Sequence, residues 1–321
     1  MKLIVQGGTP LHGRVRVSGA KNSSLVLMAA SAISRGEVYL DNVPRIADVK
    51  TQIEIVRALG GQVSWEDSDA LHLRWDRPLY NDIPYNLAKK LRASNLFLGA
   101  MAARKEPIKI PLPGGCNIGS RPMDLHLKGL GMLGYDVNLE HGYIDARPGK
   151  LEGCCIYLDF PSVGATENIM MAAAGIPGTT VIENAAKEPE TVDLANFLNA
   201  MGGKVRGAGT DLIIVDGVDE FHGTRHSVIP DRIEAGTYMI SAGITGGEVT
   251  VENVIVKHLQ PVIAKLGEVG LSVKANEDKI TVKRTGDLMA TDIKTLPYPG
   301  FPTDLQSPMM VLLAQAKGTS T

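Results

Sequence analysis

The stretch Pro111-Leu-Pro-Gly-Gly-Cys-Asn-Ile-Gly-Ser-Arg-Pro122 concentrates reactive and turn-forming residues in one place. Its glycines and prolines make it a loop rather than a strand or helix. A thiol on such a loop, Cys116, beside Arg121, can do proton-transfer or nucleophilic work, and it equally reads as a small hydrophobe in a turn. Lys21 and Asn22 in Ser18-Gly-Ala-Lys-Asn22, Arg92 in Leu91-Arg-Ala-Ser94 and Arg232 in Pro230-Asp-Arg-Ile233 also lie in or beside turns. Cations at helix N-termini hold phosphates and carboxylates together with the orphan N–H groups there, although each of these alone also reads as a surface ion pair. Phe160-Pro-Ser-Val-Gly-Ala-Thr166 offers the backbone of Ser162, Val163 and Gly164 to a diphosphate, or caps a helix. Asp304, in Pro299-Gly-Phe-Pro-Thr-Asp304, either complements a helix dipole or serves as a general base in a cleft.

The elements that must position these residues form a repeat. A helix ends in glycine, a strand follows, and a turn, a second helix, a glycine and another strand complete the pattern. Copies begin with helices expected near 23–34, 166–176 and 233–244, with strands 37–42, 179–184 and 248–253. The turn residues Asn42, Asn184 and Asn253 precede the helix-ending Gly60, Gly202 and Gly270 by 18, 18 and 17 residues. Such a period marks one supersecondary unit, βαβαββ-like, used several times. A further copy spans 93–137, where counting back 18 from Gly134 reaches Cys116. The thiol is therefore expected where the other copies place a turn asparagine, a local departure of the kind found at functional sites. A last copy starts with a helix over 302–316 and stops three residues after Gly318. This reads as a C-terminal truncation or as a fold completed by a second copy of the chain.

The 321 residues suffice for two domains, and a net charge of -2 gives no field that favours nucleic acid. No signal peptide is expected from the first residues, and runs such as Ile169–Gly175 are too short to span a bilayer. Three cysteines, Cys116, Cys154 and Cys155, fit a reducing compartment, so a soluble cytoplasmic protein is expected. The seven histidines are scattered, no metal-ligand spacing appears, and neither a phosphate-loop nor a dinucleotide fingerprint is present. No cofactor and no metal are expected.

Ser18–Asn22, Leu91–Ser94, Pro113–Pro122, Ser162–Thr166, Pro230–Glu234 and Tyr298–Gln306 closely resemble the UDP-N-acetylglucosamine 1-carboxyvinyltransferases, in register from Lys2 to Thr321. The resemblance implies an inside-out α/β barrel fold of βαβαββ units in two domains. These would be 20–229, and 1–19 plus 230–321, the second incomplete. It implies transfer of the enolpyruvyl group of phosphoenolpyruvate to the 3-hydroxyl of UDP-N-acetylglucosamine, with release of phosphate, in bacterial cell-wall synthesis. That role would link the chain to cell shape and division and make it a fosfomycin target. By the resemblance, Cys116 would be the proton donor and Asp304 the base. Lys21, Asn22, Arg92 and Arg121 would hold phosphoenolpyruvate. Asn22, Arg92, Arg121, Pro122, Met123, Asp124, Leu125, Ser162, Val163, Gly164, Arg232 and Asp304 would hold the UDP-sugar. Relatives continue past Thr321 with further phosphoenolpyruvate-binding arginines. Little turnover is therefore expected of the 321-residue chain, which a steady-state assay checks. Two other readings stand beside this one: the sister enzyme acting on shikimate 3-phosphate, and a non-catalytic UDP-sugar-binding fragment.

Overall fold

The computed structural model describes residues 2–75, 80, 82–114 and 123–321. The chain divides into a unit formed by Gly19–Ile229 and a unit formed by Met1–Ser18 with Pro230–Thr321. Strand β1 (His12–Arg16) belongs to the second of these. The larger unit opens with α1 (Lys21–Ala30), β2 (Val38–Asp41), α2 (Ala47–Ala58), β3 (Gln62–Trp65) and β4 (Leu71–Arg74). It continues with α3 (Tyr85–Ala88), α4 (Phe97–Ala103), β5 (Ile108–Pro111), α5 (Asp124–Met132), β6 (Tyr135–Glu140) and β7 (Tyr143–Pro148). It closes with β8 (Cys155–Tyr157), α6 (Val163–Gly175), β9 (Thr179–Glu183), α7 (Pro189–Ala200), β10 (Lys204–Arg206), β11 (Leu212–Asp216) and β12 (Thr224–Ser227). The smaller unit adds α8 (Arg232–Thr245), β13 (Glu248–Glu252), α9 (Gln260–Glu268), β14 (Leu271–Asn276), β15 (Lys279–Arg284) and α10 (Gln306–Leu313).

Among the described residues the strands form four separate sheets, ordered β12-β2-β4-β3, β5-β7-β6, β10-β11-β9-β8 and β1-β13-β15-β14. Each four-stranded sheet carries one parallel edge pair, β12 with β2, β8 with β9 and β1 with β13. Among the described residues, β8-α6-β9-α7-β10-β11 is a full βαβαββ unit continuous in sequence. In the other two the first strand is exchanged: β1 precedes α1 but pairs with β13, and β12 precedes α8 but pairs with β2. In the three-stranded sheet, Asp82 makes a parallel bridge to Lys109 of β5.

Within the larger unit the first helices of the copies lie at the centre and the sheets outside. Helices α1, α4 and α6 are buried on nearly every face, as their uninterrupted apolar runs require. The strands instead alternate, with Val38 and Leu40, Ile108 and Ile110, and Thr180 and Ile182 turned inward. Helices α4 and α6 approach very closely. A Cβ on Gly99 would stand 2.4 Å from the carbonyl oxygen of Asn168, so only glycine admits this contact.

The repeat has a stereochemical basis. Gly60, Gly134, Gly202 and Gly270 have φ of 97°, 98°, 100° and 97°, the left-handed turn that ends a helix. Asn42, Asn184 and Asn253 have φ of 60°, 56° and 61°. Each asparagine amide also donates to the carbonyl just beyond the parallel neighbour strand, at Val228, Leu158 and Val17 respectively, over 2.7–2.9 Å. One residue thus turns the chain and fastens the edge strand. Asn184→Ala is expected to cost about 2 kcal/mol, one part for the left-handed backbone and one for the lost bond, whereas Asn184→Gly loses only the bond. Urea midpoints of the two variants test this, and equal costs would contradict it.

The same geometry corrects the position assigned to Cys116. Aligned by their inward residues, Val38, Thr180, Val249 and Ile108 are equivalent, so Leu112 and not Cys116 aligns with the turn asparagines, although it lacks their positive φ and its N–H donates to the Gly142 carbonyl at 2.8 Å. Val38 to Gly60 and Thr180 to Gly202 each span 22 residues, whereas Ile108 to Gly134 spans 26. Counting back from the helix end failed because this copy carries four extra residues between β5 and α5.

Candidate functional site

The residues picked out by type share one structural position. Lys21, Val163 and Arg232 are the first residues of α1, α6 and α8, and each lies 17 residues before the equivalent strand residue Val38, Thr180 or Val249. Arg92 opens the 3-10 turn Arg92–Leu96 that leads into α4, and Asp304 lies in the 3-10 turn Thr303–Leu305 that leads into α10. The repeat therefore presents the start of every first helix, where backbone N–H groups lack helical partners. Asp124 and Leu125 open α5, the second helix of its copy. Cys116, Arg121 and Pro122 lie outside the described residues. Arg232 and Asp304 belong to the smaller unit, the remainder to the larger.

The helix starts differ in how far they are already satisfied. Asp231 caps α8, accepting from the N–H groups of Ile233 and Glu234 at 2.8 and 3.0 Å, and Glu234 adds a second carboxylate in the first turn. That end already carries its negative charge. Arg232 there lies over the Tyr298 ring, 5.7 Å from its centroid. Helices α1 and α6 have no acidic residue in the first turn. Ala20 offers α1 no capping side chain, and α6 has only Ser162, whose Oγ accepts from Ala165 at 3.4 Å. Lys21 and Asn22 stand exposed at the first end, with Lys21 Nζ 3.6 Å from Asp48. Both starts are suited to an anion in a way that α8 is not.

Within the larger unit the turn bearing Arg92 packs against α1 and α6, and α5 packs against α6. Met123 is buried beside this turn, its sulfur accepting from the Asn95 amide at 3.4 Å. The meeting point of these elements is His126 of α5, which is only 3% exposed. Its Nδ1 is 2.8 Å from the amide nitrogen of Asn168, and its ring packs against Gly164 in the first turn of α6. Burial first, and the Arg92 guanidinium second, lower its pKa to about 4 despite the opposing charge of Asp124. His126 is a neutral imidazole at physiological pH.

A second buried network fixes the start of α1. Asp193 of α7, 2% exposed, accepts from the hydroxyl of Ser23, from His226 Nε2 at 2.7 Å and from the Ile229 N–H at 3.4 Å. Ser23 follows Lys21 and Asn22 directly. Nearby in sequence to Asn168, Glu167 is buried, and burial together with Glu190 and Glu188 holds its carboxyl well above the usual range. Sequence reasoning singled out none of His126, Asn168, Asp193, Glu167 or His226. The available signal was a polar residue on an apolar face, as with His126 between Met123 and Leu130. Among the described residues no group of three or more histidine, cysteine or acidic side chains could hold a metal ion. No described helix is long and apolar enough to cross a membrane.

Repeated units with inner helices and outer sheets, and helix starts beside fixed cations, define a class of protein. The sequence profile of EPSP synthase (3-phosphoshikimate 1-carboxyvinyltransferase) matches residues 5–321, and the chain belongs to that family. It is 53% identical to UDP-N-acetylglucosamine 1-carboxyvinyltransferase 1 of Caldanaerobacter subterraneus subsp. tengcongensis and 52% identical to UDP-N-acetylglucosamine 1-carboxyvinyltransferase 2 of Carboxydothermus hydrogenoformans. Each match covers 99% of this chain and 76% of the relative, so the chain spans about three quarters of their length. The enolpyruvyl transferase NikO from Streptomyces tendae shares the fold, with a TM-score of 0.86 at 24% identity over 97% of this chain and 74% of that one. EPSP synthase from Acinetobacter baumannii does so with a TM-score of 0.71 at 19% identity, over 97% and 71%. The inside-out α/β fold and the family expected from the motifs are borne out.

Proposed function

We propose that this chain transfers the enolpyruvyl group of phosphoenolpyruvate to the 3-hydroxyl of UDP-N-acetylglucosamine, releasing phosphate, in the cytoplasmic synthesis of bacterial peptidoglycan. The observation that carries the reading is identity of one half to proteins named for this reaction across 99% of the chain. In the addition step the sugar oxygen bonds to the central carbon of phosphoenolpyruvate while the methylene carbon takes a proton. In the elimination step that carbon loses a proton and the bond to the phosphate oxygen breaks. Cys116 would deliver the proton and Asp304 would accept the one from the sugar hydroxyl. Lys21, Asn22, Arg92 and Arg121 would hold the phosphoenolpyruvate anion, where fixed charges need no reorganisation. The UDP portion would lie against Arg121–Leu125 and Ser162–Gly164, with Arg232 serving the sugar. The starts of α1 and α6, which carry no acidic residue in the first turn, support the assignment of anions to these positions. In this reading, segments 20–229 and 1–19 with 230–321 are the two domains.

Calorimetric titration tests the acceptor. UDP-N-acetylglucosamine is expected to bind, with phosphoenolpyruvate then giving phosphate release or a Cys116 adduct detectable by intact mass. Binding of shikimate 3-phosphate with no response to UDP-N-acetylglucosamine would overturn the proposal. Sugar binding with neither release nor adduct would leave the chain as a UDP-sugar-binding protein.

A further inference from the structure

Two helices at the same position of the repeat are covered differently. Helices α6 and α8 correspond residue for residue, because each begins 17 residues before its equivalent strand residue, Thr180 or Val249. In α6, Asn168, Ile169 and Ala172 are wholly buried. Gly99 of α4 lies against Asn168, and Gly129 of α5 lies against Ile169. The same positions of α8 are Thr237, Tyr238 and Ser241, of which the first two are exposed and the third half-buried. Among the described residues nothing takes the place over α8 that α4 and α5 take over α6. Helix α10 packs on another side of α8, with Leu305 against Gly236 and Leu312 against Gly243, so α8 and α10 run parallel. It turns Ser307, Met310, Val311 and Ala314 outward, with Met310 61% and Val311 56% exposed. From 235 to 246 and from 305 to 316 the chain has no charged residue. An exposed apolar face of this kind marks an interaction surface.

We propose that a second copy of this chain covers this face. Helix α10 of each copy packs along Thr237, Tyr238 and Ser241 of the other, and α8 and α10 of the two copies form a four-helix bundle about a two-fold axis. Every copy carries both halves of this contact, the open side of α8 and the open side of α10, which is the condition for a closed, self-complementary interface. With the axis along the helices, the added helix runs parallel to α8. The inner helices of the larger unit pack in the same sense, Gly99 of α4 meeting Asn168 of α6 and Ala103 meeting Gly175. An uncharged face loses no ion hydration on burial. It also lacks the lysines and arginines that an apolar helix face needs around it to bind a lipid surface. The proposal is independent of the reaction assigned above.

Sedimentation of the 321-residue chain over a concentration series tests it. A reversible monomer–dimer equilibrium is expected. Tyr238→Glu and Val311→Glu, on different helices, are each expected to weaken it about tenfold or more, since each buries a carboxylate in the contact. Leu139→Glu, at a position of β6 as exposed as Val311, is expected to leave it unchanged. Hydrogen exchange of the unaltered chain gives a readout that needs no variant to fold: amides of α8 and α10 should gain protection as concentration rises, and those of β6 should not. A chain that stays monomeric up to about 100 μM, or a dimer that both α8 and α10 substitutions leave intact, would overturn the proposal. Dimerisation that protects other elements and not α8 and α10 would overturn it as well.

Discussion

Asp193→Ala is expected to lower the stability of the larger unit by about 3–5 kcal/mol, the range for stripping one partner from a buried charged network. The carboxylate is 2% exposed and serves Ser23, His226 and the Ile229 N–H together. Alanine would leave a hydroxyl, an imidazole N–H and a backbone N–H without their acceptor. Asp193→Asn keeps the shape and one acceptor, and the histidine can exchange tautomers to meet the amide, so a smaller loss is expected. Because the chain has two units, the measurement should be local: hydrogen exchange of α1 and α7 amides, alongside the urea midpoint. The first turn of α1, which carries Lys21 and Asn22, should lose protection before β13–β15. Unchanged exchange in α1 would refute the claim that Asp193 holds this turn in place.

Acidification provides the second large effect. The unfolded chain takes up a proton at His126 near the ordinary value of 6.5, whereas the folded chain does so only near 4. The folded state thus binds fewer protons in this window, and its stability falls as pH drops from about 6.5 to about 4. The interval of about 2.5 units corresponds to an upper limit of about 3 kcal/mol. Burial is the main cause, Arg92 adds to it, and Asp124 opposes it. Other groups also titrate, so the useful quantity is a difference. Urea unfolding of wild type and His126→Gln should be compared at pH 7 and at pH 4, and any advantage of the histidine at neutral pH should shrink by up to that amount. Glu167 does not mimic the effect: its raised pKa favours the folded state on acidification. A difference between the variants that is independent of pH would count against a buried neutral His126.

The sequence alone determined what is local or repeated. Helix-ending glycines and turn asparagines announced the copies because a left-handed residue is demanded by the turn itself, wherever the chain later packs. Turn punctuation likewise marked Lys21, Arg92, Ser162–Gly164, Arg232 and Asp304, all of which fall at helix starts. The motifs named the family. Tertiary structure decided the rest. It aligned Leu112 rather than Cys116 with the turn asparagines, since extra residues between a strand and the next helix leave no signal in spacing counted from one side. It exchanged β1 and β12 between units, because strand pairing is a choice between distant partners. It also selected His126, Asn168 and Asp193 from many polar residues. The bonds that define them join positions 42, 69 and 170 residues apart, and only packing determines which buried polar group meets which partner.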